Sequence, residues 1–132
     1  MSEKNLLGSL LIDDYPLMVL PKLAAAIGLN EAIVLQQIHY WLRKSKHQYD
    51  GRTWVYNTYR DWQDQFPFWS LRTIKRIIKS LRESFAGDSS RPARGPLLLT
   101  GNYNKFTPDR TLWYSIDYDT LAGIFTKNAL HK

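Results

Sequence analysis

The sequence contains no cysteine, so neither disulfide bonds nor thiolate metal sites are open to this chain. It has no apolar run approaching the 18 or more residues that a membrane-spanning helix needs. The first 15 residues show no basic region followed by an apolar stretch, which argues against a signal peptide. These absences predict a cytoplasmic protein that does not use a membrane as its partner.

The residue patterns typical of enzymes are also missing. There is no G-x-S-x-G motif, no glycine-rich phosphate loop and no cysteine nucleophile. Asp61 and Asp64 could share a metal ion, but a helix cap and a solvated residue explain them better. The histidines, His39, His47 and His131, lack the spacing of a zinc site. We therefore expect no catalytic activity, no cofactor and no bound metal.

What the sequence does contain is a strongly amphipathic stretch, residues 70–85. On a helix turning about 100° per residue, its apolar side chains fall within one arc of roughly 120°. Its basic side chains fall within a second such arc on the far side, and they are Arg72, Lys75, Arg76, Lys79 and Arg82. Ser70 is a good N-cap, because its hydroxyl can accept from the free amides of the first turn. The pattern predicts a helix with one buried face and one face that meets negative charge.

The positive charge of the chain is concentrated in the same region. Of a net charge of +6, residues 70–85 contribute +4 and residues 86–110 contribute +2, whereas residues 1–69 and 111–132 are each neutral overall. A basic stripe localised in this way is typical of proteins that bind the phosphate backbone of nucleic acid. The alternative is a solvated helix face that only keeps the protein in solution.

A single domain is expected, with a helical core at residues 17–85 behind an irregular arm at residues 1–16. Pro21 should begin a short helix that ends at Gly28, and Asn30 should cap a longer helix that ends near residue 44. The longer helix carries a broad apolar stripe that should face the core, and part of that stripe could serve a dimer interface. The candidate self-association residues are Val34, Ile38 and Trp41.

A polar connection, residues 45–52, precedes a brief strand at residues 53–56 that is rich in β-branched and aromatic side chains. Thr58 and Asp61 then resemble a capping box at the start of a third helix, which Pro67 ends. The basic helix follows after a few residues. Two helices so closely spaced predict a helix-turn-helix, with the basic helix as the recognition element.

The last part of the chain predicts a β-hairpin. Residues 86–96, rich in glycine, serine, proline and arginine, predict a flexible loop. Residues 97–117 predict two antiparallel strands joined by a polar tip, and residues 118–132 predict a short helix, capped by Asp117 or Asp119, with a frayed tail. The fold class is therefore mainly α with a small antiparallel sheet (α+β), in the order of a winged helix-turn-helix.

The aromatic side chains fall into two groups. The tryptophans at helix or strand spacing are expected in the core, and they are Trp41, Trp54, Trp62 and Trp113. Tyr103 and Phe106 lie at the tip of the wing. They could fold back on the sheet, or they could reach a minor groove or an unpaired base.

Four segments carry a resemblance to a known family: LNEAIVLQQIHYWL, YDGRTWVYNTYRDWQDQF, SLRTIKRIIKSL and TLWYSIDYDTL. Across residues 15–125 the sequence resembles the N-terminal winged-helix domain of replication-initiation proteins, namely DnaD-like replisome organisers and plasmid or phage replication proteins of Gram-positive bacteria. In that family the domain binds DNA or drives self-association, and a separate C-terminal domain often contacts single-stranded DNA or a helicase loader. Here the loop at residues 86–96 is longer than expected, and no second domain follows. The chain would be a stand-alone protein or a fragment of an initiator.

The function expected from residues and resemblance together is duplex DNA binding in replication initiation. The residues expected to enter the major groove lead the basic helix, as in other recognition helices, and are Arg72, Thr73 and Arg76. Those expected to contact the DNA backbone are Lys75, Lys79 and Arg82 from the helix, and Arg91, Arg94, Lys105 and Arg110 from the loop and wing.

Two alternatives remain open at this stage. One is a protein–protein assembly module that forms a homodimer or higher oligomer, with replication proteins as further partners. The other is a transcriptional regulator, because winged helices serve both processes and a fold does not fix a function.

Overall fold

The structure of the protein is a computed structural model that describes residues 16–102 and 112–130, without the side chains of residues 126–130. The elements within these ranges are α1 (Pro21–Ile27), α2 (Leu29–Lys44), β1 (His47–Tyr49), β2 (Arg52–Asn57), α3 (Tyr59–Gln65), α4 (Leu71–Arg82), β3 (Leu98–Gly101), β4 (Leu112–Ile116) and α5 (Tyr118–Leu130). The predicted α+β fold class is confirmed.

One antiparallel sheet holds the described strands in the order β1-β2-β4-β3. Val55 of β2 lies opposite Tyr114 of β4, and Leu98 of β3 lies opposite Ile116 of β4. Because side chains alternate between the faces of a strand, these four residues share the inner face, which packs on the helices.

The core lies between this inner face and the apolar sides of the helices. The apolar side of α4 is buried there through Ile74, Ile77, Ile78 and Leu81. Trp62, in the middle of α3, and Phe66, directly after α3, are fully buried in the same cluster. Burial of each isoleucine or leucine of α4 contributes about 1.5–3 kcal/mol. The apolar face of α4 is therefore packed against the core, and this packing keeps the basic face on the solvent side.

Several predicted caps are confirmed. Thr58 and Asp61 form the capping box of α3: the Asp61 amide donates to Thr58 Oγ1 at 3.0 Å, and the Thr58 amide donates to Asp61 Oδ2 at 2.9 Å. Asp117 caps α5, because its Oδ1 accepts from the Thr120 amide at 3.1 Å. That hydrogen bond lowers the pKa of the Asp117 carboxyl. At these positions the capping residues in the sequence therefore predict the helix starts correctly.

The predicted start of α2 was wrong. Asn30 lies inside the helix, and Gly28 precedes it with φ of 106° and no side-chain cap. Gly28 serves both neighbouring helices, because its amide donates to Ala24 O at 2.8 Å and its carbonyl accepts from the Ala32 amide at 2.9 Å. A residue other than glycine would be strained at this backbone angle. The two helices therefore share one glycine junction.

Three further expectations need correction. The polar connection at residues 45–52 contains β1, because the turn at Asp50 and Gly51, with φ of 52° and 76°, closes a hairpin with β2. The last helix, expected to be short with a frayed tail, continues as α5 to Leu130. The loop at residues 86–96, predicted to be flexible, is closed at its base, since Phe85 and Arg94 exchange two main-chain hydrogen bonds of 2.8 Å each.

Two of the three candidate self-association residues are buried within the fold. Val34 and Ile38 are fully buried in the core and cannot reach a second copy without unfolding. Trp41 is 37% exposed, so the expectation that it belongs to the core was wrong. Its exposure leaves it accessible for contact with a second copy of the chain. Trp62 is buried in the core, and Trp54 and Trp113 are buried outside the main core cluster.

Candidate nucleic-acid interface

The turn between α3 and α4 sets the direction of the basic helix. Phe66 is fully buried, and the Trp69 ring packs on it with a centroid distance of 5.2 Å. The Trp69 amide donates to Phe66 O at 3.1 Å, and its carbonyl accepts from Gln63 Nε2 at 3.3 Å. Ser70 then caps α4, because its Oγ accepts from the Thr73 amide at 3.1 Å. This hydrogen-bonded corner joins the two helices of the predicted helix-turn-helix.

The basic side of α4 faces solvent. Its cationic residues are all exposed, and they are Arg72, Lys75, Arg76, Lys79 and Arg82. The side chains of Arg72 and Arg76 make no hydrogen bond or ion pair with any described residue. Lys79 Nζ lies 4.0 Å from Glu83 Oε1, and both side chains are well exposed. Such a surface pair contributes only about 0–1 kcal/mol, so a phosphate could replace the carboxylate.

Two residues of α4 have partners within the helix-turn-helix. Lys75 Nζ lies over the ring of Tyr59, 5.0 Å from its centroid, which holds the ammonium beside α3. Thr73 is half-buried, and its Oγ1 accepts from Ser70 Oγ at 3.0 Å. Thr73 thus belongs first to the helix cap, although its own hydroxyl proton remains free to donate. Of the residues on this face, Arg72 and Arg76 are therefore the most accessible to a ligand.

Arg94 does not lie on the basic face, contrary to the sequence-based expectation. Its Nη1 donates to Glu83 O at 3.3 Å and to Gly95 O at 3.2 Å, and its Nη2 lies 3.5 Å from Ser80 O. Ser80 and Glu83 are at the C-terminal end of α4, where carbonyl groups lack helical partners. Burial lowers the pKa of the Arg94 guanidinium, and the charge of Glu31 opposes that effect. Arg94 therefore caps the basic helix and is excluded from the interface.

Arg91 is also drawn toward the body of the protein. Its guanidinium carbon lies 5.4 Å from the centroid of the Phe85 ring. A Cβ atom placed on Gly28 would lie only 2.7 Å from Arg91 Nη1, so the side chain reaches the junction of α1 and α2. The amide of Arg91 donates to Asp88 Oδ1 at 2.8 Å, and Ser90 donates to the same oxygen. These hydrogen bonds lower the pKa of Asp88, the bond from the Ser90 hydroxyl having the largest effect.

The remaining predicted residues are the cations and aromatic residues of the wing tip, and His39. Lys105 and Arg110 lie outside the described residues, as do Tyr103 and Phe106. His39 has a structural partner, because its Nδ1 lies 2.8 Å from Tyr118 Oη and so joins α2 to α5. Burial raises the pKa of the Tyr118 hydroxyl.

The described ranges also bear on metal and membrane sites. Within residues 16–102 and 112–130, no group of three or more histidine, aspartate or glutamate side chains could hold a metal ion. In the same part of the chain, every helix is too short or too polar to cross a lipid bilayer. Asp61 is occupied by its capping box, and Asp64 is exposed.

Sequence reasoning missed a second group of exposed cations, at the end of α2, just before β1 and at the start of β2. These residues are Arg43, Lys44, Lys46 and Arg52. The charge count concealed them, because acidic residues elsewhere in residues 1–69 cancel their charge. The signal available in the sequence was their spacing within ten residues beside Tyr40, Trp41 and His47.

Comparisons with known proteins leave this site to be interpreted from its own geometry. No protein-family model, curated protein or solved structure matches the chain. Two features can carry the interpretation. One is the exposed basic face of α4, and the other is the position of α4 as the second helix of the pair joined by the corner at residues 66–70.

Proposed function

We propose that this protein is a DNA-binding winged-helix module that binds duplex DNA through the basic face of α4, as part of a phage- or plasmid-type replication initiator. The observation that carries the proposal is the exposure of five cations on one side of α4. Among the residues the structure describes, only one carboxylate, that of Glu83, approaches any of them as an ion pair.

The dimensions of α4 suit this role. From Arg72 to Arg82 the helix rises about 15 Å, and the major groove is about 12 Å wide, enough to admit a helix. Arg72 and Arg76 occupy the first two turns, where recognition helices contact base edges. Lys75, Lys79 and Arg82 would then lie against phosphates, which position a protein without specifying sequence.

The experiment is an electrophoretic shift or anisotropy titration with a duplex in low salt. The variant Arg72→Ala with Arg76→Ala should weaken duplex binding at least about tenfold, since a base-contacting arginine contributes about 1–3 kcal/mol. Circular dichroism should remain unchanged, because both side chains are exposed and neither has a partner within residues 16–102 and 112–130. Unaltered duplex affinity in this variant would remove α4 from the interface.

The replication role rests on the resemblance of the four segments. It is tested with the DNA that flanks the coding region of the protein. Selective retention of that DNA over an unrelated duplex of equal length supports the role. Equal retention would favour a general DNA-binding module.

A second candidate is protein–protein assembly, and its support now comes from different residues. Met18, Leu20 and Leu29 are 61%, 50% and 57% exposed, before and after α1. Contiguous apolar patches mark interaction sites, and these three residues are the candidates for such a patch. A sedimentation coefficient that rises with protein concentration, and falls when Leu29 is replaced by serine, would favour assembly. The two functions are compatible, because these residues lie outside α4.

A further inference from the structure

A groove of about 340 Å³ lies between the end of α2 and the β1–β2 hairpin. The residues that line it are Trp41, Lys44, Ser45, His47, Val55, Tyr56, Asn57 and Gln65. Its volume is in the range of sites that accept small ligands or single aromatic rings. The groove is distinct from the basic face of α4, since none of its lining residues belongs to that helix.

Aromatic side chains form the walls of this groove and are held in place from behind. Tyr56 is 54% exposed, and its ring rests on Trp113 with a centroid distance of 4.8 Å and on His47 at 5.9 Å. Trp41 is fixed by the hydrogen bond that its Nε1 donates to Gln65 Oε1 at 2.8 Å, and its ring meets that of Tyr40 at 5.1 Å. Tyr56 and Trp41 are therefore both exposed and ordered, which suits them to stacking.

The lining of the groove contains one lysine and no acidic residue. Lys44 is exposed, with its Nζ 4.5 Å from the centroid of the Tyr40 ring. None of the lining residues carries a carboxylate. An occupant with negative charge would be attracted by Lys44, whereas a cation would be repelled by the like charge there.

The lining also offers polar groups for the edge of a planar ligand. The side-chain amide of Asn57 has no hydrogen-bond partner among the described residues, and it is half-exposed. His47 is exposed beside it in the same groove. Aromatic faces, a cation and a free amide are together the chemistry that binds an unpaired base and its phosphate.

We propose that the groove between α2 and the β1–β2 hairpin binds single-stranded nucleic acid, with an unpaired base stacked on Tyr56 or Trp41, its edge facing Asn57 and its phosphate at Lys44. Duplex DNA does not fit the same requirement, because its bases are already paired and stacked. The proposal does not depend on duplex binding by α4, and it gives the protein a second contact with a strand that has been opened.

The test uses the full chain and anisotropy titrations with labelled oligo(dT), oligo(U) and a duplex. Tyr56→Leu keeps an apolar cover over Trp113 but removes the stacking ring, and it should weaken oligo(dT) or oligo(U) binding by at least about fivefold. Tyr56→Phe retains the ring and should bind as the wild type does. Tyr56→Leu should leave duplex affinity unchanged, and the two oligonucleotides show whether DNA or RNA is preferred.

Lys44→Gln provides a second variant at an exposed position. It should lower the slope of log affinity against log salt for the single strand by about 0.7, the loss of one phosphate contact. The Arg72→Ala and Arg76→Ala variant should change duplex binding only, so failure of the α4 proposal and failure of this one give different results.

Three outcomes would overturn the proposal. The first is no binding of either single strand by the wild type, and the second is equal binding by the wild type and a folded Tyr56→Leu variant. The third is a change in the sedimentation coefficient of the protein in Tyr56→Leu, which would make the groove a contact between copies of the chain.

Discussion

Replacing Arg94 with alanine should destabilise the fold and leave duplex affinity intact. The guanidinium donates to the carbonyls of Glu83 and Gly95 at 3.3 and 3.2 Å and approaches that of Ser80 at 3.5 Å. It also lies 5.9 Å from the centroid of Phe85. Removing it leaves the end of α4 without a cap and takes away one of the two guanidinium groups over the Phe85 ring, the other being that of Arg91.

The magnitude follows from these contacts. Hydrogen bonds from a charged donor contribute about 1.5–3 kcal/mol, and the long, half-exposed bonds of Arg94 belong at the low end because water can rehydrate the carbonyls. The cation–π contact adds about 0.5–1 kcal/mol. We expect a loss of about 2 kcal/mol in the free energy of unfolding, which lowers Tm by about 7 °C for a chain of 132 residues.

The assay is urea unfolding followed by tryptophan fluorescence, together with a duplex titration. Arg76→Ala is the matched control, because it removes an arginine that has no hydrogen-bond or ion-pair partner in the part of the chain that the structure describes. The control should keep its stability within about 0.5 kcal/mol and lose duplex affinity. The reverse pattern, with Arg94→Ala stable but deficient in DNA binding, would refute the cap and restore Arg94 to the interface.

Two further predictions concern the same framework. Ile77→Ala should lower the free energy of unfolding by about 2–5 kcal/mol in urea titrations, since Ile77 is fully buried and α4 would lose its packing; a smaller loss would mean that the core tolerates rotation of the helix. Asp117→Ala should cost about 0.5–2 kcal/mol at pH 7, because the cap of α5 is lost. The pKa of Asp117 is lowered in the folded protein, so its contribution is present above the unfolded pKa of about 3.9 and is lost as pH falls through the folded pKa. The stability difference between wild type and Asp117→Ala should therefore close on acidification, and a difference that persists at low pH would contradict this role.

The features that the sequence could predict are those set by neighbouring residues. The amphipathic pattern of α4, its Ser70 cap and the capping box at Thr58 each depend on side chains within one turn of helix. The strand β3 was likewise visible as an apolar run, and β4 as a run with β-branched and aromatic side chains. For these elements, local preference and the final packing agree.

The features that escaped prediction depend on contacts distant in sequence. The three residues of β1 have no apolar pattern of their own, and they form a strand because β2 pairs with them and His47 packs on Trp113, with ring centroids 5.1 Å apart. In the sequence, Arg94 has the character of an exposed cation in a loop. The main-chain pairing of Phe85 with Arg94 instead places its side chain at the end of α4. A net charge summed along the chain could not show that Lys44 lines a groove with Trp41 and Tyr56.

The exposed basic face of α4 is tested most directly by the salt dependence of duplex binding. The three phosphate contacts assigned to Lys75, Lys79 and Arg82 predict that log affinity falls against log salt with a slope of about −2.7. Replacing Lys79 and Arg82 together with glutamine should make the slope shallower by about 1.8, because two of these contacts are lost. A slope near zero for the wild type, or the same slope in both proteins, would contradict the assignment of α4 to DNA.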